Sequence, residues 1–384
     1  MHIAFMVLLG AVACAWLILG AQSWMGMRRL PRVSSATPLP DAALPSVSLL
    51  LSARDEAEKM PAALRSMLAL DYPNYEVVAV DDRSRDATPE ILREISAGCK
   101  HLRAVRVDEL PAGWLGKPHG LQAAFERSTG EWLVFTDADV RFEPESVRLA
   151  VSLALERGLD HLTLIPAMEI HGFWERTVLN FFGLALLLAA RPWAVPDPAS
   201  GAYMGIGAFQ LIRRTAYEKI GTHRRLAFEV VDDMKLGRLV KQAGLRSSTG
   251  IADDLLRIRW HSGIGNIIRG TEKNFFAAAG FRTVFALAQF LAMLLFNVLP
   301  FAVMPFVSGW ALGFAAAAAG IATLVSAVAS VRNGGSPLYG LTHPLGALLV
   351  VYMGLRSLAI TLRQNGIYWR ETFYPLDALR RGVV

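Results

Sequence analysis

Three short apolar runs, Val47–Leu51, Glu76–Val80 and Trp132–Phe135, each stop at a cluster of charged side chains, and this pattern constrains the fold more tightly than any other. Runs of this length and apolarity read as strands buried on both faces. Between them the spacing turns helical. Met60 to Leu70 is one helix, and Thr88-Pro89-Glu90 opens another, with Thr88 as its cap and proline in the first turn. Leu102–Val107 reads as a further strand, and Leu121–Ser128 as the helix that leads into Trp132. A helix from Pro144 to Arg157 and a strand Leu162–Pro166 continue the alternation. Such a succession predicts an α/β fold with a mostly parallel, doubly wound sheet, whose ligands sit beyond the carboxyl ends of the strands. Those ends carry Arg54/Asp55/Glu56, Asp81/Asp82/Asp86 and Asp137/Asp139.

Asp137 and Asp139 stand two apart, so along an extended chain both side chains point the same way and can reach one cation. Two carboxylates suit Mg²⁺ or Mn²⁺, which keep waters and take further ligands from a substrate's phosphates. An Asp-X-Asp triplet also serves simply to cap a strand and open a turn; three charged strand ends on one sheet tip the balance toward a site. Asp232 and Asp233 begin a helix that runs to Ala243, where acidic residues favour the helix dipole whatever else they do. Met204-Gly-Ile-Gly-Ala-Phe209 suits either a turn or a close backbone approach to a ligand.

The flanks are of another kind. Hydrophobic residues make up 53% of the 384 and charged residues only 19%, more apolar than an ordinary soluble domain. Ile3–Ala21 is almost wholly apolar and is followed by Arg28, Arg29 and Arg32. Positive charge after the apolar run predicts an uncleaved anchor with the next domain in the cytoplasm. The expected organisation is an anchor over 1–27, a linker over 28–44, a catalytic domain over 45–279, membrane helices over 280–363 and a cytoplasmic or interfacial tail over 364–384. Phe281–Phe301 and Ala302–Val331 are each long enough to cross a bilayer. Pro344–Leu362 contains Arg356, and the tail carries Arg363, Arg370, Arg380 and Arg381, so this segment is expected to be re-entrant or interfacial. Phe173–Val195 reads as an interfacial helix or one that covers the sheet. The net charge of +6 suits an anionic membrane surface and is too small to argue for nucleic acid. With 2 cysteines, neither a disulfide framework nor a Cys-based metal site is expected.

Together these segments resemble the membrane-anchored family-2 glycosyltransferases with a GT-A fold, in particular the carotenoid-acid, hopanoid-associated and ceramide-glucosyltransferase-like subgroup. Ser52-Ala-Arg-Asp-Glu56 is similar to that family's first-strand motif, and Asp81-Asp-Arg-Ser-Arg-Asp-Ala-Thr88 matches its Asp-Asp-X-Ser-X-Asp-X-Thr. Gly113-Trp-Leu-Gly-Lys117, Thr136-Asp-Ala-Asp139 and Asp232-Asp233 follow in the family's order. Trp369-Arg-Glu-Thr resembles its Trp-Arg-Gly ending, with glutamate in place of glycine. The resemblance implies that Arg54, Glu56 and Asp82 hold the nucleobase and ribose of a nucleotide-sugar donor, a UDP-sugar, with Lys117 near its phosphates. It implies that Asp139, helped by Asp137, binds Mg²⁺ or Mn²⁺, and that Asp233, beside Asp232, is the general base of an inverting transfer to a membrane lipid. Arg269 and Lys273, four apart on a helix, suit either the diphosphate or anionic lipid. Arg259-Trp260 lacks the glutamine of the processive members' Gln-X-X-Arg-Trp, so one sugar per acceptor is expected. The enzyme would sit in the inner membrane as a multi-pass protein, its catalytic domain facing the cytoplasm. The alternatives are a processive polysaccharide synthase or a catalytically decayed membrane scaffold, the latter opposed by the full set of carboxylates.

Overall fold

The computed structural model describes residues 2–384, which fall into two compact units. One unit, Leu30–Glu169 with Pro192–Arg259 and Arg381–Val384, is built on a sheet. The other takes the residues up to Arg29, Ile170–Arg191 and Trp260–Arg380, and is helical.

The sheet has eight strands: β1 (Val47–Ala53), β2 (Tyr75–Asp82), β3 (Leu102–Val107), β4 (Trp132–Phe135), β5 (Val140–Phe142), β6 (His161–Met168), β7 (Gln210–Arg213) and β8 (Ser247–Ile258). Their order is β3-β2-β1-β4-β7-β6-β8-β5. Parallel pairing joins β3, β2, β1 and β4, while β7 and β5 run against their neighbours. The sheet is therefore mostly parallel, as the alternation predicts. β1 lies between two parallel partners, and Leu49, Leu50 and Leu51 are wholly buried. That is why its sequence is continuously apolar rather than alternating. β3 is an edge strand and accordingly exposes Arg103 and Arg106, charges that discourage pairing with a further strand.

Helices cover both faces of β1. Leu49 and Leu51 join Met60, Leu64 and Met67 of the helix Met60–Leu68 in one cluster, and Leu50 joins Leu121 and Ala124 of the helix Gly116–Glu126 in another. The helix Thr88–Ala97 starts as expected, with Pro89 in its first turn, but Thr88 is not its cap. Asp86 Oδ1 accepts the Thr88 N–H at 2.9 Å, which frees the Thr88 hydroxyl to accept the Glu56 N–H at 2.9 Å. The stretch expected as a linker is packed onto the sheet unit: Val33 is fully buried, and the Pro31 carbonyl accepts the Ile251 N–H at 2.9 Å.

Among the described residues of the chain, four helical stretches are long and apolar enough to cross a membrane: Ile3–Met27, Gly172–Ala194, Gly309–Arg332 and Pro337–Gln364. A further pair, Thr283–Asn297 and Leu299–Phe306, is bent by 49°. Pro300 lies just past the bend, near the start of the second piece, where its lack of an N–H makes it tolerable. Ala315, Ala318, Ala319 and Ala322 are buried on one side of the Gly309–Arg332 helix, and small residues of this kind let helices approach closely. Several polar groups in this unit are paired within it. The Asn180 amide donates to the carbonyl and hydroxyl of Ser326 at 3.1 Å each, and Glu175 accepts the backbone N–H groups of His171 and Gly263. Pro344–Leu362, expected to be re-entrant or interfacial, lies within one unbroken helix, His343–Gln364, and its Arg356 pairs with Glu272 at 2.8 and 2.7 Å. The bend lies one segment earlier.

Candidate active site

The motif after β2 divides into scaffold and free-facing parts. Asp81 accepts the Ser84 N–H at 3.1 Å and pairs with Arg106 at 3.0 Å. The Ser84 hydroxyl accepts the Asp55 N–H at 3.0 Å, and Asp86 Oδ2 accepts the Ala57 N–H at 3.0 Å. With Thr88 on the Glu56 amide, these side chains stitch the loop after β1 to the loop after β2. Asp82 takes no part in this stitching. It is buried, bound by the Arg83 guanidinium at 2.7 Å, and 4.0 Å from Arg54 Nη1. Gly116, which opens the helix Gly116–Glu126, lies hard against it: a Cβ there would come within 2.2 Å of Asp82 Oδ2. Only glycine fits.

Lys117 follows directly and carries the centre of the site. Its ammonium lies 2.6 Å from Asp137 Oδ1 and 4.0 Å from Asp232 Oδ1. Burial acts to lower the Lys117 pKa, but Asp137, Asp232 and Asp233 together outweigh it and hold the amine protonated. Asp233 is joined to the same group through the backbone of one residue. The Gly207 N–H donates to Asp233 Oδ2 at 3.0 Å, and the Gly207 carbonyl accepts the Asp137 N–H at 2.9 Å. The glycine-rich segment thus makes a backbone-to-backbone approach. A Cβ on Gly205 would fall 1.8 Å from the Asp233 carbonyl oxygen. Burial raises the Asp233 carboxyl above its ordinary value, opposed by Lys117 and the Met234 N–H, with Asp137 adding to the rise.

Asp139 points to a different cation, Lys59, at 3.1 Å, and that ammonium also donates to the Arg259 carbonyl at 3.1 Å. Burial and the neighbouring Asp137 raise the Asp139 carboxyl, and Lys59 opposes them. Asp137 and Asp139 therefore offer hard oxygen donors in a place where negative charge is in excess, which a divalent cation would relieve; this donor set fits Mg²⁺ or Mn²⁺. Among the described residues, no group of three or more His, Cys, Asp and Glu forms a cage, so such an ion would need ligands from a substrate.

Sequence reasoning passed over Lys59 and His223. Lys59 sits among alternating charges in Glu56-Ala-Glu-Lys59 and carries no signal of its own. His223 is buried behind the site: its Nδ1 is 2.5 Å from the Tyr217 hydroxyl and its Nε2 3.9 Å from Asp232. Burial, helped by Lys117, lowers its pKa to about 3, so it is neutral. Arg269 and Lys273 belong to the helical unit, where Arg269 donates to Asn266 at 2.7 Å and Lys273 lies 3.9 Å from the centre of the Trp369 ring.

Residues 48–221 match the family model described as glycosyl transferase family 2. The 4,4'-diaponeurosporenoate glycosyltransferase of Staphylococcus haemolyticus is 22% identical over 232 residues, 60% of each chain. The beta-monoglucosyldiacylglycerol synthase of Trichormus variabilis is 33% identical over 182 residues, 46% of this chain and 38% of that one. The chain thus spans 60% or less of the length of these two relatives. Among solved structures, the mannosyltransferase PcManGT from Pyrobaculum calidifontis, in complex with GDP-Man and Mn²⁺, superposes with a TM-score of 0.55 at 20% identity. The match covers 93% of this chain and 98% of that one, and is a likeness of fold. The sheet unit that carries the Lys117 cluster is GT-A-like in fold, and residues 48–221 match the family 2 glycosyltransferase model.

Proposed function

We propose that the protein transfers a single sugar, with inversion, from a nucleotide sugar, a UDP-sugar, to the hydroxyl or carboxyl group of a membrane lipid. The observation that carries this reading is the Lys117 ammonium held among Asp137, Asp232 and Asp233, with Asp82 and Arg54 beside the same helix start. Asp82, Arg54 and Glu56 bind the base and ribose, the carboxylates accepting from N–H and hydroxyl groups. Lys117 meets the diphosphate as a point charge. A Mg²⁺ or Mn²⁺ ion held by Asp139 and Asp137 would neutralise the charge that grows on the departing nucleoside diphosphate. Asp233 takes the proton of the acceptor hydroxyl as that oxygen attacks the anomeric carbon. Its raised pKa keeps it basic enough for the task. Arg259-Trp260, without the glutamine of processive enzymes, supports one addition per acceptor. The names of the relatives, a diaponeurosporenoate glycosyltransferase and a monoglucosyldiacylglycerol synthase, support an apolar acceptor.

Asp139→Asn should abolish the metal dependence and nearly all of the transfer, with the melting temperature kept. Transfer with the same Mn²⁺ dependence as the parent would overturn the assignment. Asp233→Asn should lower turnover about 10²-fold or more, the range for a lost general base, with donor affinity unchanged. In the parent, activity should fall with acid as Asp233 protonates, at a pH above the ordinary aspartate value; in Asp233→Asn that limb should vanish. A harmless Asp233→Asn beside a damaging Asp232→Asn would move the base by one residue.

The same reading puts the protein in the inner membrane with its sheet unit on the cytoplasmic side. Gly172–Ala190 leaves the sheet unit after Glu169 and returns to it at Pro192, so it does not carry the chain across. Arg381–Val384 also belongs to the sheet unit, so an even number of crossings separates it from Arg259. The straight helices Gly309–Arg332 and His343–Gln364 supply two, and the bent pair is re-entrant. In a background with Cys14 and Cys99 replaced by serine, an impermeant thiol reagent should label Asn333→Cys in intact cells and leave Ser308→Cys and Val384→Cys unlabelled. Labelling at 308 would make the bent pair a crossing.

A further inference from the structure

The last residues of the chain return to the segment that carries the candidate base. The Val384 backbone oxygen accepts from Lys235 Nζ at 2.6 Å and from Arg238 Nη1 at 2.9 Å. The Val384 N–H donates to Glu229, which also pairs with Lys235 at 3.3 Å. Glu229 and Lys235 are 3% and 7% exposed, so these are buried charges whose remaining hydrogen bonds the tail completes. Gly382 lies against Phe228, where a Cβ would come within 2.3 Å of the Phe228 Cβ, and Val384 packs on the cluster around Leu226, Leu236 and Leu239.

These anchor points bracket the site. Lys235 and Arg238 lie on the helix Asp232–Gln242, within two turns of Asp233. Phe228 and Glu229 lie just before that helix. The Ala227 carbonyl accepts the Leu115 N–H at 2.7 Å, two residues before Lys117. One short segment, 226–235, therefore touches the tail, the start of the base-bearing helix and the backbone that presents Lys117.

We propose that Gly382–Val384 is a strap that positions this segment, and that Glu229 and Lys235 are positioning residues through which turnover depends on the tail being seated. The catalytic part of the proposal rests on the glycosyltransferase reading above.

The test compares, in lipid nanodiscs, the full chain, a chain lacking Gly382–Val384, and the variants Lys235→Met and Lys235→Arg. Hydrogen exchange, melting temperature, and kcat and KM for the donor are measured on each. Loss of the tail should speed amide exchange across 226–235 about tenfold or more and leave β1 and β2 unchanged. It should lower kcat about 10- to 100-fold, the cost of misplacing reacting groups, at unchanged KM. Lys235→Met should follow the truncation, and Lys235→Arg should restore the parent values. Unchanged exchange in 226–235 after truncation would overturn the strap, as would a fall in kcat that tracks loosening of the whole sheet. A full chain that transfers no sugar from any donor would sink the proposed function instead, and the exchange data would still decide the strap.

Discussion

One ammonium group, that of Lys117, makes the rest of the site possible. Asp137, Asp232 and Asp233 arrive from a strand end and a helix start, and like charges brought this close to one amine repel one another. Placing a cation among them offsets both desolvation and mutual repulsion. The geometry around it follows from that need. Gly116 lets the Lys117 helix start against Asp82, and the N–H and carbonyl of Gly207 tie Asp233 and Asp137 together. Lys59 plays the same part for Asp139. A divalent cation would compete with these two lysines for the carboxylates, and a donor's phosphate would compete with the carboxylates for the lysines.

Within the helical unit, too, charged and polar side chains are paired. Arg356 is matched by Glu272, Asn180 by Ser326, and Glu175 by two backbone N–H groups. With those groups paired, the small-residue faces are free to pack closely. A charge inside an apolar segment thus says little about whether that segment is straight. What bends the chain here is the break before Leu299-Pro300, a feature of the backbone.

The sheet was legible because β1, β2 and β4 are buried on both faces, and continuous apolar runs leave no other reading. The strand-end carboxylates were legible because charge at the end of such a run is conspicuous. Which of them work as scaffold was not. Thr88 does not cap the helix: Asp86 accepts its N–H, and its hydroxyl accepts the Glu56 amide, a pairing across 32 residues that no local pattern records. Lys59 and His223 were missed for a similar reason. Their partners come from other strands and helices, and neither lies in a distinctive run. The seating of Val384 on Lys235 and Arg238 joins residues about 150 apart and is likewise invisible to periodicity.

The central claim is that the Lys117 cluster receives the diphosphate of a sugar donor together with a divalent cation. The most direct measurement is a structure of the protein with a nucleoside diphosphate and Mn²⁺, the metal located by anomalous scattering. The account predicts manganese bound to Asp139 and to phosphate oxygens, with the base against Asp82 and Lys117 turned onto a phosphate. Manganese bound elsewhere, or a nucleotide that leaves Lys117 on Asp137 and Lys59 on Asp139 unchanged, would contradict it.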